Sequence, residues 1–192
     1  MNLSAYQLKC NMKQLFALVL SLSYTITSIG QQSVTPAIER QFNKIESDIL
    51  GAAQAMPEDK FNFTPENLHI EKSDFKGVRT FAGQIMHLAT DNILIWSAIT
   101  GDAVRADIVD VNGPKTIITK KDVIEYLKSS FAIGRKAISN LTTQNAMDAI
   151  EFRGRSLSKL DLAFYALTHA NEHYGQMVVY LRMCGILPPP SN

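Results

Sequence analysis

Four stretches of this chain carry apolar residues at steps of three and four, a spacing that buries them together only if each stretch coils into an α-helix with one dry face. In the first, Ile38, Phe42, Ile45, Ile49, Ala52 and Met56 form a single stripe. Thr35-Pro36 reads as an N-cap followed by a proline at the first helical position, where a missing N–H is harmless, and Pro57 ends the helix. The second stripe, Phe81, Ile85, Leu88, Ile95 and Ile99, predicts a helix capped by Ser73 or Asp74 and closed by Gly101. The third helix is expected from Lys120 to about Leu141, burying Val123, Leu127, Phe131, Gly134, Ile138 and Leu141; Thr119, with Asp122 three positions later, resembles a capping box. The fourth, capped by Ser158, is expected from Lys159 to about Cys184, where Gly185 and the prolines at 188–190 stop it.

Helices that each have one apolar face bury them most simply against one another, so the predicted fold is an all-α four-helix bundle over residues 31–192. Its connections are long. The first, from Pro57 to Ser73, should pack onto the bundle through Phe61, Phe63 and Leu68. Residues 101–118, with Asn112-Gly113-Pro114, read as a loop that can hold a short hairpin, and the segment containing Phe152-Arg153-Gly154 reads as another loop. Connections of this length permit a crossover and supply the walls of functional sites.

The first thirty residues follow a different logic. Lys9 and Lys13 precede an uncharged run through Leu15-Phe16-Ala17-Leu18-Val19-Leu20, and small residues close it at Ser28-Ile29-Gly30. This is the layout of a secretory signal peptide, residues 1–30, cleaved before Gln31, with Met12 as an alternative start. A membrane anchor is the competing reading, but the apolar core falls short of the roughly 20 residues that span a bilayer. The mature protein is therefore expected to be exported, periplasmic or extracellular, without a membrane span. Of the 19 basic and 18 acidic residues, cleavage removes two lysines and no acid, which leaves no basic field for nucleic acid. It also removes Cys10, so Cys184 is the one remaining thiol and reads as a small core residue.

The chemistry gathers in the fourth helix, which contains His169-Ala170-Asn171-Glu172-His173-Tyr174-Gly175-Gln176. At about 100° per residue, positions 169, 173 and 176 project to one side, so two imidazoles can reach a common ion. That side continues the core stripe of Leu162, Tyr165 and Tyr180, and buried polar groups there need partners. A metal ion satisfies both rings; hydrogen bonds to neighbouring helices are the alternative. His87 strengthens the metal reading, because it lies mid-helix on the small, polar side of the second helix formed by Thr80, Gly83, Gln84, Asp91, Leu94 and Ala98. Asp91, one turn on, is placed to orient His87 through its second nitrogen. The fourth histidine, His69, sits among Glu71, Lys72 and Asp74 and reads as surface. The run His169-x-x-Glu172-His173 also spells the inverted zinc-peptidase motif, but only 19 residues follow His173, too few for that family's further ligand and larger domain.

These residues resemble the DinB/YfiT superfamily of metalloenzymes. The resemblance rests on His87 followed by Leu88-Ala89, and on His169-x-x-x-His173-Tyr-Gly-Gln176-Met-x-x-Tyr-Leu-Arg182-x-x-Gly185-x-x-Pro188-Pro189, and it covers nearly all of the mature chain. It implies a bundle in which His87, His169 and His173 bind zinc, nickel or a similar divalent ion at one end of a cleft, leaving positions open for water or substrate. Members include transferases and isomerases that use bacillithiol, mycothiol or glutathione, and metal-dependent hydrolases. Glu172 stands where many relatives carry another histidine.

The expected protein is thus an exported metal-dependent enzyme acting on a small molecule, with an ion on three histidines activating water or a thiol. Asp91 and Tyr165 support the ligands, and Glu172 and Gln176 line the pocket as candidate catalytic groups. Hydrolysis is favoured over thiol transfer by the export signal, since low-molecular-weight thiols are concentrated in the cytoplasm. The remaining alternative is a non-catalytic metal-binding or stress-related protein that dimerises through exposed helix faces.

Overall fold

A computed structural model describes residues 34–190 except residue 109. The expected signal peptide, its cleavage point and the alternative start lie outside the described residues. The order of elements is α1 (Thr35–Ala55), short 3-10 turns at Glu58–Lys60 and Pro65–Leu68, α2 (Phe81–Thr100), α3 (Lys120–Ser139), β1 (Ala149–Phe152), β2 (Arg155–Ser158) and α4 (Lys159–Met183). Among the described residues, no helix is long and apolar enough to cross a membrane.

The four predicted helices form, and their stripes are the core. Ile38, Phe42, Ile45, Ile49, Ala52 and Met56 of the first stripe are all buried, as are Phe81, Ile85, Leu88, Ile95 and Ile99 of the second. Helix α2 is buried almost all round because it packs against both α3 and α4. Its polar residues Gln84, Thr90, Asp91 and Asn92 are therefore as deep in the protein as its apolar ones. Where α1 crosses α3, Phe42 meets Trp96 and Phe131 edge-on at centroid distances of 5.6 and 5.5 Å. Gly134 makes that crossing possible, since a Cβ there would lie 2.6 Å from the Phe42 ring.

The ends of the elements depart from expectation in instructive ways. Thr35 is inside α1, and its hydroxyl donates to the carbonyl of Leu141, two residues past the end of α3, instead of capping its own helix. Helix α2 starts at Phe81, not after Ser73 or Asp74, and its cap is Thr80, whose hydroxyl accepts from Gly83 N–H. The Ser73 hydroxyl is taken by the Ile70 carbonyl, and the Asp74 carboxylate by Lys76 N–H, so both close a local turn. The carbonyls of Phe63 and Phe61 accept from Phe81 and Ala82 N–H, so the long connection supplies partners for the first turn of α2. In that connection Phe61 is buried and Phe63 packs edge-on against Tyr180, whereas Leu68 is exposed and Pro65 is buried in its place.

The hairpin expected within residues 101–118 does not form there; the described residues of that stretch make turns only. A hairpin lies instead at β1–β2, which pair antiparallel with Ile150 opposite Leu157 and Phe152 opposite Arg155. Arg153 and Gly154 join them with φ of 50° and 75°, the all-positive pattern of a tight two-residue turn. Ser158 then caps α4 reciprocally with Asp161, as the capping-box geometry requires.

Candidate metal centre

The middle of α4 brings His169 and His173 inward, 8% and 5% exposed, against His87 from the middle of α2. Ring centroids are separated by 4.6 Å for His169–His173, 5.0 Å for His87–His173 and 5.3 Å for His87–His169. One nitrogen from each ring can be chosen so that all three lie within 4.8 Å of one another, a group that could hold a metal ion.

Hydrogen bonds on the outer nitrogens decide which lone pairs face inward. His87 Nδ1 lies 2.8 Å from the Val111 carbonyl, which can only accept, and 3.4 Å from Arg79 Nη2, which can only donate; the much shorter contact assigns the proton to Nδ1 and leaves the Nε2 lone pair facing inward. His173 Nδ1 donates in the same way to Gln84 Oε1 at 2.7 Å, leaving its Nε2 bare as well. That Nε2 faces His169 Nε2 at 3.1 Å, while His169 Nδ1 is buried without a hydrogen-bond partner among the described residues. Imidazole nitrogens bound at 2.0–2.1 Å around a tetrahedral ion stand about 3.3 Å apart, so this pair is already near a coordinating spacing.

Charge states point the same way. Burial, followed by the charges of His169, His87 and Arg79, lowers the His173 pKa to about 3. Burial is also the largest cause lowering His169, with the Asp91 carboxylate pulling in the opposite direction. Near neutral pH both rings are uncharged, the state in which imidazole binds a metal.

Two loops build the site's walls. The Asn112-Gly113-Pro114 turn presses onto α2, and a Cβ on Gly113 would come 2.7 Å from Met86 Cε and 2.8 Å from Thr90 Oγ1. Gly113 also has φ of 79°, so glycine both permits the turn and lets Val111 reach His87. On the other side, the hairpin tip sends Arg153 onto Asp91, with Nη2–Oδ1 at 2.6 Å and Nη1–Oδ2 at 3.4 Å. Asp91 is 2% exposed, and its hydrogen bond to Arg153 is the main cause of that guanidinium's raised pKa.

His87, His169 and His173 come together. Asp91 is adjacent, but it does not hold the outer nitrogen of His87; the Val111 carbonyl does. Its Oδ2 instead approaches the inner side, 4.0 Å from His87 Nε2 and 3.6 Å from His169 Nε2. Tyr165 stacks on His169 at 5.8 Å and 27°. Glu172 and Gln176 are exposed on α4, so neither joins the buried cluster. A four-residue step from His173 stays on the inward side, at Met177, whereas the three-residue step to Gln176 turns back out. His69 is exposed, as expected. Cys184 is a half-buried free thiol, its pKa pushed up by burial.

Gln84, Val111 and Arg153 were not assigned roles from sequence. Gln84 shares the polar side of α2 with His87 one turn away, and that spacing was its one available signal. Arg153-Gly154 between alternating Ile150, Phe152 and Leu157 was a hairpin signal for Arg153. Val111 acts through its backbone, which no side-chain pattern marks.

Comparison with known proteins fits this architecture. Residues 32–192 match the profile of the DinB family. The chain belongs to the DinB family. A DinB-like protein from Bacillus cereus ATCC 10987 superposes on this DinB-family chain with a TM-score of 0.62 at 15% identity, covering 84% of this chain and 99% of the other. A second DinB-like protein, from Bacillus subtilis, gives a TM-score of 0.55 at 19% identity, covering 80% and 95%. At these identities the likeness extends to the fold alone. No curated protein matches this DinB-family sequence.

Proposed function

We propose that this chain is an exported metal-dependent enzyme of hydrolase type that acts on a small molecule, with His87, His169 and His173 holding a divalent ion. The observation that carries the reading is the convergence of bare nitrogens: the outer nitrogens of His87 and His173 are tied to acceptors and their inner lone pairs meet His169. Neutral imidazole ligands suit zinc and nickel. When bound, such an ion supplies Lewis acidity and lowers the pKa of a coordinated water or thiol.

This chain's residues would do the rest. Val111 and Gln84 keep the rings turned inward, and Tyr165 packs over His169. Asp91 Oδ2, beside the ligand nitrogens, is the carboxylate placed to take the proton released by the nucleophile, and Arg153 holds it there. Three ligands leave a coordination position open, which suits catalysis better than a closed structural site. Water is the preferred nucleophile because the proposed export removes the chain from cytoplasmic thiols.

Metal analysis of purified protein tests the reading. About one zinc or nickel per chain is expected, lost in His87→Ala and His173→Ala, together with hydrolysis of a panel of esters and amides. Wild-type protein without stoichiometric metal would overturn it. Stoichiometric metal with turnover only when a thiol is added would move the assignment to a thiol-dependent transferase, and metal with no turnover on either panel would move it to a binding protein.

A further inference from the structure

Between the hairpin and the first two turns of α4 lies a cavity of about 290 Å³, lined by Phe152, Arg153, Arg155, Leu157, Asp161 and Tyr165. Its size is at the lower end of the roughly 300–1,000 Å³ of small-molecule sites, so it suits a compact ligand. Two of its walls also belong to the histidine cluster. Tyr165 stacks on His169, and Arg153 is bonded to Asp91, so one residue separates the cavity from the histidine cluster at each of these two walls.

The chemistry of the lining is uneven. Residues directly opposite in an antiparallel pair share a face, which places Phe152 with Arg155 and continues to Leu157 two residues along. Together with the Tyr165 ring they make a largely apolar enclosure. Of its three charged groups, two are already committed. Arg153 is bonded to Asp91, and the Asp161 carboxylate accepts from Ser158 N–H and hydroxyl at the start of α4. The Arg155 side chain, exposed at the rim, has neither a hydrogen bond nor an ion pair among the described residues.

We infer that this cavity is the substrate subsite, and that it takes a small monocarboxylate with an aromatic or branched apolar body. Arg155 grips the carboxylate, Phe152, Leu157 and Tyr165 enclose the body, and the opposite end points past Arg153 to His169. A single free guanidinium matches one negative charge in the two-point geometry of a carboxylate. The nearby Asp161 disfavours a dianion such as a phosphate monoester.

The inference rests on the metal-enzyme reading for its catalytic meaning, but its test does not depend on metal. Calorimetric titration of the full protein, metal-loaded and metal-stripped, would use 3-phenylpropanoate as probe, with acetate, 3-phenylpropanamide and phenyl phosphate as controls. Saturable binding of 3-phenylpropanoate is expected in both states, at least about tenfold tighter than any control, since a charge-assisted contact is worth more than one such factor. Arg155→Gln should weaken the probe at least about tenfold and leave thermal stability unchanged, because the side chain is exposed and unpartnered. Leu157→Asp should also abolish binding, through the apolar wall. Equal binding of acid and amide, unchanged binding by Arg155→Gln, or no saturable binding would each overturn the subsite. Protein that retains no metal yet binds the probe sinks the metal reading alone, and protein with full metal and no probe binding sinks this one alone.

Discussion

Removing the Arg153 side chain should destabilise the metal-free protein far more than the metal-loaded one. Asp91 is 2% exposed, and Arg153 is its only partner within hydrogen-bond distance among the described residues. Stripping one member of a fully buried ion pair costs about 3–5 kcal/mol, because the other charge is left without compensation. Arg153 is 42% exposed, so water already screens the pair and the loss should be nearer about 2 kcal/mol. For a domain of this size that is a fall in Tm of roughly 4–8 °C. A divalent ion on the three histidines changes the balance, since Asp91 Oδ2 stands 3.6 Å from His169 Nε2 and 4.0 Å from His87 Nε2. The ion's charge then replaces the guanidinium's, and the loss in Arg153→Ala should drop below about 1 kcal/mol. Urea unfolding of wild type and Arg153→Ala, with chelator and with one equivalent of zinc, reads the four stabilities. Adding Asp91→Asn to Arg153→Ala should recover most of the metal-free loss, as a coupled pair requires. Equal losses with and without metal would refute the placement of Asp91 beside the ion.

Other consequences are separately measurable. His173 is neutral in the folded protein down to about pH 3, but in the unfolded chain it gains a proton near its ordinary pKa of 6.5. The unfolded state therefore binds more protons below pH 6.5, and metal-free stability should fall as pH drops from there, by up to about 1.4 kcal/mol per pH unit, with a shallower slope in His173→Asn. Gln84→Leu removes the acceptor on His173 Nδ1 and should weaken zinc affinity about 10–100-fold in a competitive chelator titration while the helical circular dichroism stays unchanged. Gly134→Ala puts a Cβ 2.6 Å from the Phe42 ring, an overpacking of about 1–3 kcal/mol that denaturant unfolding would report, with zinc affinity unaffected. Gly113→Ala, which clashes with Met86 and Thr90 and is strained at its positive φ, should lower zinc affinity as well as stability, since it displaces the Val111 carbonyl from His87.

Repeating apolar steps, Pro36 and Pro57, and the Thr119 and Ser158 caps were enough to locate four helices, because helix formation and capping depend on neighbours three or four residues apart. The same local logic placed His169 and His173 on one side of α4 and put His87 mid-helix among small, polar residues. It failed where a group had two possible partners. Ser73, Asp74 and Thr35 all look like caps, and only the packed chain shows that the first two close a turn and the third bonds to Leu141. Gln176 and Gln84 are chemically the same side chain near the same histidines, yet a rotation of less than half a turn about α4 leaves one in water while α2 presents the other to His173. The convergence of the rings from α2 and α4, the Val111 carbonyl behind His87, the Gln84 amide behind His173 and the reach of Arg153 to Asp91 join parts of the chain that are 24 to 89 residues apart. Such approaches are set by how whole helices and loops pack, and no local spacing encodes them.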